Sequence, residues 1–322
     1  MTKNLKYFLI PLILSLPFWW GINVLQDNLS NFFFWREMAE NPKILAAEAN
    51  QLAFEQNLRD LKPIRDNQIE DLEIKAKSAT SVFLDNQGRE RILFQKDIDQ
   101  RLPIASLTKL MTAYIVLENY DLAKEIKISK EAVSQKENLG KLKVGEILSV
   151  EQLLYPLLME SSNDAAFALA NDYEGMNREK FVELMNLTAQ KMNLENTHFF
   201  NPTGLEPDED KYTKDLNYST AADLVKLTKE LLKEPLIWEI LSTPKYTLYG
   251  PELVNTNEFL GEMPGIIGGK TGYTEKALAC FLLVSESPKS KGYLLNVILG
   301  TEANRFEEMK KLLNWVQQAY NW

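Results

Sequence analysis

The sequence predicts an α+β domain in which strands from both ends of the folded region join one antiparallel sheet, with a helical stretch between them. Three observations carry this. A strand–turn–strand pattern stands at 81–94, and a largely helical stretch follows from about Leu107 to Leu232. Two apolar runs of strand length, Ala279–Ser285 and Tyr293–Leu299, then precede a last helix.

Each element has a local cause. Ser81-Val-Phe-Leu84 and Arg91-Ile-Leu-Phe94 flank Asp85-Asn-Gln-Gly88, whose residues favour a tight reversal, so the pair reads as a β-hairpin. In the central stretch, Thr220-Ala-Ala-Asp223 ahead of Leu224, Val225, Leu227 and Leu231 reads as a capped amphipathic helix. Asn201-Pro-Thr-Gly-Leu205 is a loop between helices. Ser287-Pro-Lys-Ser-Lys-Gly292 turns the chain between the two late strands, and Phe306, Met309, Leu312, Leu313 and Val316 fall on one side of the closing helix. No internal repeat is visible.

The N-terminal part differs in kind. Residues 1–26 read as a membrane anchor: Lys3 and Lys6 precede an uncharged run from Tyr7 to Gln26, and Trp19 and Trp20 stand near its far end, where an aromatic belt lies. The two lysines stay in the cytoplasm on this reading, which puts everything after Asp27 on the extracytoplasmic side. A cleaved secretory signal is the competing reading, since the run is short and holds Pro11 and Pro17; the bulky Asn31-Phe-Phe-Phe-Trp35 that follows offers no small-residue cleavage site. A buried soluble helix ranks below both. Residues 27–76 lack glycine, are rich in Glu, Asp, Asn, Gln, Lys and Ala, and space Leu45, Leu52, Leu58 and Leu61 loosely as a helix does, so they read as a helical or flexible stalk. Residues 77–322 are the folded domain.

Composition narrows the chemistry. A net charge of −9 over 322 residues excludes binding to nucleic acid by phosphate neutralisation. Cys280 is the single cysteine, so there is no internal disulfide and no thiolate metal cluster. His198 is the single histidine, which excludes a multi-histidine metal site. No metal and no cofactor is expected.

Three short motifs remain. Ser106-Leu-Thr-Lys109 opens an apolar stretch, Met111–Leu117, that reads as a helix, so the serine and lysine lie on one face and can touch. This sets a nucleophile beside a base: a neutral lysine amine accepts the serine proton when burial, a helix N-terminus and a second cation depress its pKa. The pattern alone is weak, because Ser242-Thr-Pro-Lys245 repeats it, but Pro244 there opposes the helix the pair needs. Ser161-Ser-Asn163 falls at a break between two helical segments, where a hydroxyl and an amide can shuttle a proton and hold a substrate amide; the plain alternative is a helix N-cap. Lys270-Thr-Gly272 lies just before the strand containing Cys280, after the glycine-rich Gly265-Ile-Ile-Gly-Gly269, and a lysine and a threonine at a strand edge can bind a carboxylate; the plain alternative is a charged edge strand.

Taken together, the three motifs resemble the S-x-x-K, S-x-N and K-T-G signature of penicillin-binding proteins and serine β-lactamases. Leu102-Pro-Ile-Ala-Ser-Leu-Thr-Lys-Leu-Met-Thr112, Glu160-Ser-Ser-Asn-Asp-Ala165, Asn201-Pro-Thr-Gly-Leu205 and Gly269-Lys-Thr-Gly-Tyr-Thr274 are similar to the low-molecular-mass serine D-alanyl-D-alanine carboxypeptidases, peptidase family S11, over about residues 79 to 320. The resemblance implies a β-lactamase/transpeptidase-like fold and removal of the terminal D-alanine from peptidoglycan stem peptides ending in D-Ala-D-Ala. It implies that Ser106 attacks the scissile carbonyl, with Lys109 as base and Ser161 relaying a proton to the leaving amine. Asn163 then binds the acyl-side amide, Lys270, Thr271 and Gly272 the carboxylate end, and the backbone N–H groups of Ser106 and Tyr273 form the oxyanion hole. β-Lactam antibiotics are the implied inhibitors.

Departures and rivals complete the reading. Relatives often carry a glycine and a bulky residue where this chain has Leu278 and Ala279, and a histidine where it has Asn217; both bear on substrate fit. The chain ends at Trp322 without the extra C-terminal β-domain and amphipathic helix of the family, which suits a tether at the other end. A β-lactamase of the same fold is one rival, although no E-x-x-L-N follows Asn163 to supply a deacylating carboxylate. A DD-endopeptidase or transpeptidase is another, and a non-catalytic wall-binding protein a third of a different class. His198 is expected to pack or hydrogen-bond structurally, and Cys280 to be buried and inert.

Overall fold

The computed structural model describes residues 63–136, 141–207, 216–247, 250–290 and 292–322, together with Leu29 and Asn50. The chain divides after Ile64, and all elements named below belong to the unit Arg65–Trp322. Its sheet has five antiparallel strands: β1 (Ser78–Asp85), β2 (Glu90–Lys96), β3 (Ile266–Thr274), β4 (Leu278–Glu286) and β5 (Gly292–Thr301), in the spatial order β3-β4-β5-β1-β2. Pairing of β5 with β1, from Tyr293 opposite Leu84 to Leu299 opposite Ser78, joins the two ends of the domain. The β1–β2 turn forms as the sequence predicts, with Gln87 and Arg89 N–H each donating to Asp85 Oδ1 at 2.8 Å and Gly88 at φ +81°.

Alternation along each strand gives the sheet two apolar faces. On β4, Phe281 and Leu283 face the closing helix α7 (Arg305–Ala319) and meet Met309, Leu312, Leu313 and Val316. Cys280, Leu282 and Val284 point the other way, into the helical layer. Each fully buried leucine or valine contributes about 1.5–3 kcal/mol relative to exposure, which is why a helix apolar along one side closes this face.

The helical layer comprises α1 (Thr108–Asn119), α2 (Val150–Met159), α3 (Asn163–Asn171), α4 (Arg178–Lys191), α5 (Ala221–Leu231) and α6 (Pro235–Ser242). Helix α1 runs through its middle: Leu110, Met111, Ala113, Ile115 and Val116 are all buried. Caps fix where the others start. Ser149 and Gln152 form a reciprocal capping box at α2, and Thr220 Oγ1 accepts the Asp223 N–H at 3.0 Å at α5, the cap read from sequence.

Residues 65–76, assigned from sequence to the end of the stalk, belong to the folded unit. Ile74 and Ala76 are buried, the Lys75 N–H donates to Glu308 Oε2 at 2.7 Å, and the Asp66 N–H donates to Ala319 O at 2.8 Å. Among the described residues no helix is long and apolar enough to cross a membrane; the expected anchor at 1–26 lies outside them.

Candidate active site

Ser106 stands in a single 3-10 turn, Ala105–Leu107, that runs straight into α1. Ala105 before it has φ +46°, a left-handed conformation that costs a residue with a side chain about 1–3 kcal/mol and persists where the surroundings over-determine it. Two glycines provide those surroundings. A Cβ on Gly204, itself at φ +84°, would lie 2.0 Å from Ala105 O, and one on Gly272 would lie 3.0 Å from Ser106 N. The glycines of Asn201-Pro-Thr-Gly-Leu205 and of Lys270-Thr-Gly272 are therefore required by backbone approach to the serine.

One helical turn on, Lys109 is wholly buried with its Nζ 2.9 Å from Ser106 Oγ. The amine also donates to Asn163 Oδ1 at 2.7 Å and to Thr203 O at 2.6 Å. Two carbonyl oxygens thus take two of its protons, and the serine oxygen lies along a third direction. Thr203 is held there by Asn201, whose Oδ1 accepts the Gly204 N–H at 2.7 Å, and by Asn217. Asn217 accepts the Phe200 N–H at 2.7 Å and donates to Asn201 O at 2.8 Å and to Thr108 Oγ1 at 3.0 Å. Asn217, singled out as a departure, clamps the loop to the start of α1.

The break between α2 and α3 holds both the cap and two cleft-lining residues of Ser161-Ser-Asn163. Ser162 is the N-cap, its Oγ accepting the Ala165 N–H at 3.1 Å. Ser161 and Asn163 line the same cleft as Ser106. Ser161 is held at φ +62°, and its enclosed Oγ has no hydrogen-bond partner among the described residues.

Strand β3 is an edge strand, so its outer edge is open to pair with an extended peptide. Thr271, Gly272 and Tyr273 line the cleft, which measures about 280 Å³. Thr271 Oγ1 donates to Thr256 Oγ1 at 2.8 Å. Lys270 lies beneath the lining, wholly buried, its Nζ donating to Thr271 O at 3.1 Å. Burial, and next the charge of Arg305, pushes its pKa down to about 7.

The cation in the cleft wall is Arg305, which sequence reasoning missed. Its Nη1 donates to Gly272 O at 2.6 Å and to Cys280 O at 3.3 Å, fixing the guanidinium beside β3. A signal was present: Asn304 caps α7, so Arg305 occupies the first helical position, where the helix dipole disfavours a cation. Thr256 was missed as well, and being an ordinary loop residue it carries no such signal; the loop holding Thr203 was singled out from sequence, but the contact of its carbonyl with Lys109 was not.

The remaining candidates fall away from the cleft. Ser242 ends α6 and Lys245 pairs with Glu252 at 3.2 Å on the surface. His198 packs edge-on against Phe200, ring centres 4.7 Å apart. Cys280 is buried, and burial raises its thiol pKa to about 11, so it stays a protonated thiol.

A buried lysine on a serine at a helix start, with an edge strand across the cleft, defines the class of site. Residues 65–303 match the peptidase S11 profile, D-alanyl-D-alanine carboxypeptidase, and the chain belongs to that family. It is 33% identical over 259 residues to the D-alanyl-D-alanine carboxypeptidase DacF of Bacillus subtilis, a match covering 76% of this chain and 64% of that protein. It is 30% identical over 247 residues to a D-alanyl-D-alanine endopeptidase of Pseudomonas aeruginosa, covering 74% of this chain and 76% of the relative. Its fold is similar to that of penicillin-binding protein D2 from Listeria monocytogenes in its cefotaxime-bound form, with TM-score 0.66, 28% identity, and coverage of 77% of this chain and 99% of that one. The α+β fold expected from sequence is thus the fold of penicillin-binding proteins.

Proposed function

We propose that the chain is a serine-type D-Ala-D-Ala carboxypeptidase acting on peptidoglycan stem peptides. The observation that carries this is Lys109 Nζ at 2.9 Å from Ser106 Oγ, with the serine in a cleft edged by Thr271 and Gly272. Ser106 Oγ bonds to the penultimate D-Ala carbonyl carbon while its proton passes to Lys109. The N–H groups of Ser106 and Tyr273 receive the oxyanion. The C–N bond then breaks, and D-alanine leaves as the amine, protonated through Ser161. Water hydrolyses the ester and frees Ser106. Asn163 holds the acyl-side amide, and Thr271 with the cations Lys270 and Arg305 holds the terminal carboxylate.

β-Lactams enter the same path as carboxypeptidase substrates do and stop at the ester. Incubation of the purified chain with a pentapeptide ending in D-Ala-D-Ala and, separately, with a fluorescent penicillin tests the proposal. D-Alanine release and one covalent label are expected, with neither in Ser106→Ala. Labelling of Ser106→Ala, or no D-alanine from the wild type, overturns it.

The location follows the same reading: residues 1–26 tether the enzyme, with the catalytic domain on the extracytoplasmic side. Lys3 and Lys6 ahead of the uncharged Tyr7–Gln26 support this. Membrane fractions should retain the full chain and lose a chain starting near residue 63, just ahead of the folded unit; recovery of both in the soluble fraction contradicts the tether.

A further inference from the structure

A second hollow, about 540 Å³, opens beside the catalytic cleft. Leu278, Ala279 and Glu302 line it, Glu258, Tyr273 and Phe306 border both cavities, and Arg305 belongs to both. Its floor is low for a reason legible in the register. Ala279 on β4 stands opposite Tyr273 on β3 and opposite Thr301 on β5, and directly opposed residues share a face, so a single methyl spans the gap between them. At its wall Leu278 is held at φ +59°, a strained conformation for a residue with a side chain, and such strain gathers at ligand sites. Tyr273 leaves a large aromatic ring 58% exposed beside it. Glu258 and Glu302, both exposed, set two carboxylates around the apolar surface of Leu278, Tyr273 and Phe306.

We infer that this hollow is a leaving-group subsite: it receives the side chain of the C-terminal D-residue when that side chain is longer than a methyl and ends in an ammonium group. The inference rests on the proposed peptidase reading. With the α-carboxylate of the C-terminal residue on Arg305 and Thr271, the adjoining Cα sits where the two cavities meet, and a substituent on it has the hollow to enter. The methyl of D-alanine leaves that space unfilled. A butylamine chain lays its methylenes on Leu278, Tyr273 and Phe306 and its cation between the two glutamates. The chemistry is unchanged: the Ser106 ester forms on the penultimate D-alanine, the C–N bond breaks, and the basic D-residue departs as an amine before water hydrolyses the ester. The substrate class is a D-Ala-D-X peptide in which X is a D-residue whose side chain ends in a free amine.

Three peptides identical but for the last residue, D-alanine, D-norleucine or D-lysine, test this on the full chain. Wild type is expected to show the highest kcat/KM with D-lysine. Ala279→Phe, which fills the floor, should lower the D-lysine to D-alanine ratio by about tenfold or more, the scale of steric discrimination in an apolar pocket. Glu258→Gln with Glu302→Gln, on the exposed rim, should bring D-lysine down to the level of D-norleucine; penicillin labelling of Ser106 checks that each variant keeps its site. A wild type that hydrolyses the D-alanine peptide as well as or better than the D-lysine one overturns the subsite and leaves the peptidase standing. So does a ratio unmoved in both variants. A wild type that cleaves none of the three and takes no penicillin overturns the peptidase reading itself.

Discussion

The chain holds the same four-residue pattern twice, and the two copies share almost nothing else. Ser106 begins a helix whose next turn carries Lys109, wholly buried and 2.9 Å from the serine oxygen. Ser242 ends α6, Pro244 follows, and Lys245 starts a short exposed strand and reaches Glu252. A serine at a helix N-terminus meets the positive end of the dipole, which favours the oxyanion and an unprotonated neighbouring amine; one at the C-terminus meets the opposite sign. The spacing therefore carries chemistry only where the residues after the serine are helical and the helix is buried.

The largest expected effect breaks the first copy. Lys109→Ala should cut acylation by fluorescent penicillin about 10²–10⁴-fold, the usual contribution of a positioned general base. Lys245→Ala should leave the rate unchanged. Equal losses in the two variants would sink the assignment of Lys109.

Next comes Arg305, in the wall of the cleft that Ser106 lines. Loss of a charge-assisted bond to the substrate carboxylate by Arg305→Gln should lower kcat/KM about 10–100-fold. The pH profile separates this from a structural effect. Lys270 is an ammonium below about pH 7 and loses its proton as pH rises through that value, because burial and the charge of Arg305 disfavour the charged form. If the ammonium assists carboxylate binding, kcat/KM of the wild type falls as pH rises through about 7. Removing the Arg305 charge raises the lysine pKa, so the falling limb should move to higher pH in the variant. A limb that stays put detaches Lys270 from carboxylate binding.

What could be read from sequence, and what could not, follows the same division between local and long-range causes. The β1–β2 turn and the Thr220 cap were legible because a few neighbouring residues decide them. The union of β1 with β5 was legible from the order of elements, strands at both ends and helices between. Ser106 and Lys109 were legible because one helical turn brings them together. Arg305 and Thr256 were not, since each reaches the cleft through tertiary packing and neither forms a motif with its sequence neighbours; the loop of Thr203 was legible, but the approach of its carbonyl to Lys109 was not. The start of the folded unit was misplaced for the same reason: Ile74 and Ala76 look like stalk until the sheet and α7 cover them.

A smaller effect probes how the first copy is held. Gly204→Ala puts a Cβ 2.0 Å from Ala105 O at a residue with φ +84°, so the loop must move. A stability loss of about 1–3 kcal/mol is expected, as for other side chains forced into that conformation. Because the displaced loop carries Thr203 O away from Lys109, the acylation rate should fall as well. Unchanged melting temperature and unchanged acylation would show that the close approach is not needed.

The smallest effects belong to the second copy, and they sharpen the comparison most. Ser242 Oγ donates to Glu239 O at 3.0 Å, a local bond back into its own helix. Lys245 and Glu252 are more than half exposed, at 62% and 53%, so their pairing is screened by water and salt and is worth about 0–1 kcal/mol. Ser242→Ala and Lys245→Met should each shift stability by no more than about 0.5–1 kcal/mol and leave penicillin labelling at one per chain. Pro244→Ala removes the residue that opposes a helix there, yet it should not create a second labelled serine. The Asn255 N–H bonds the Pro244 carbonyl at 2.8 Å, a bond that the substitution keeps available to hold the chain extended, and among the described residues no carbonyl pair surrounds Lys245 as Asn163 and Thr203 surround Lys109. A second labelled site in Pro244→Ala would mean that local helix formation alone makes the pattern reactive, and that the buried shell of Lys109 is dispensable.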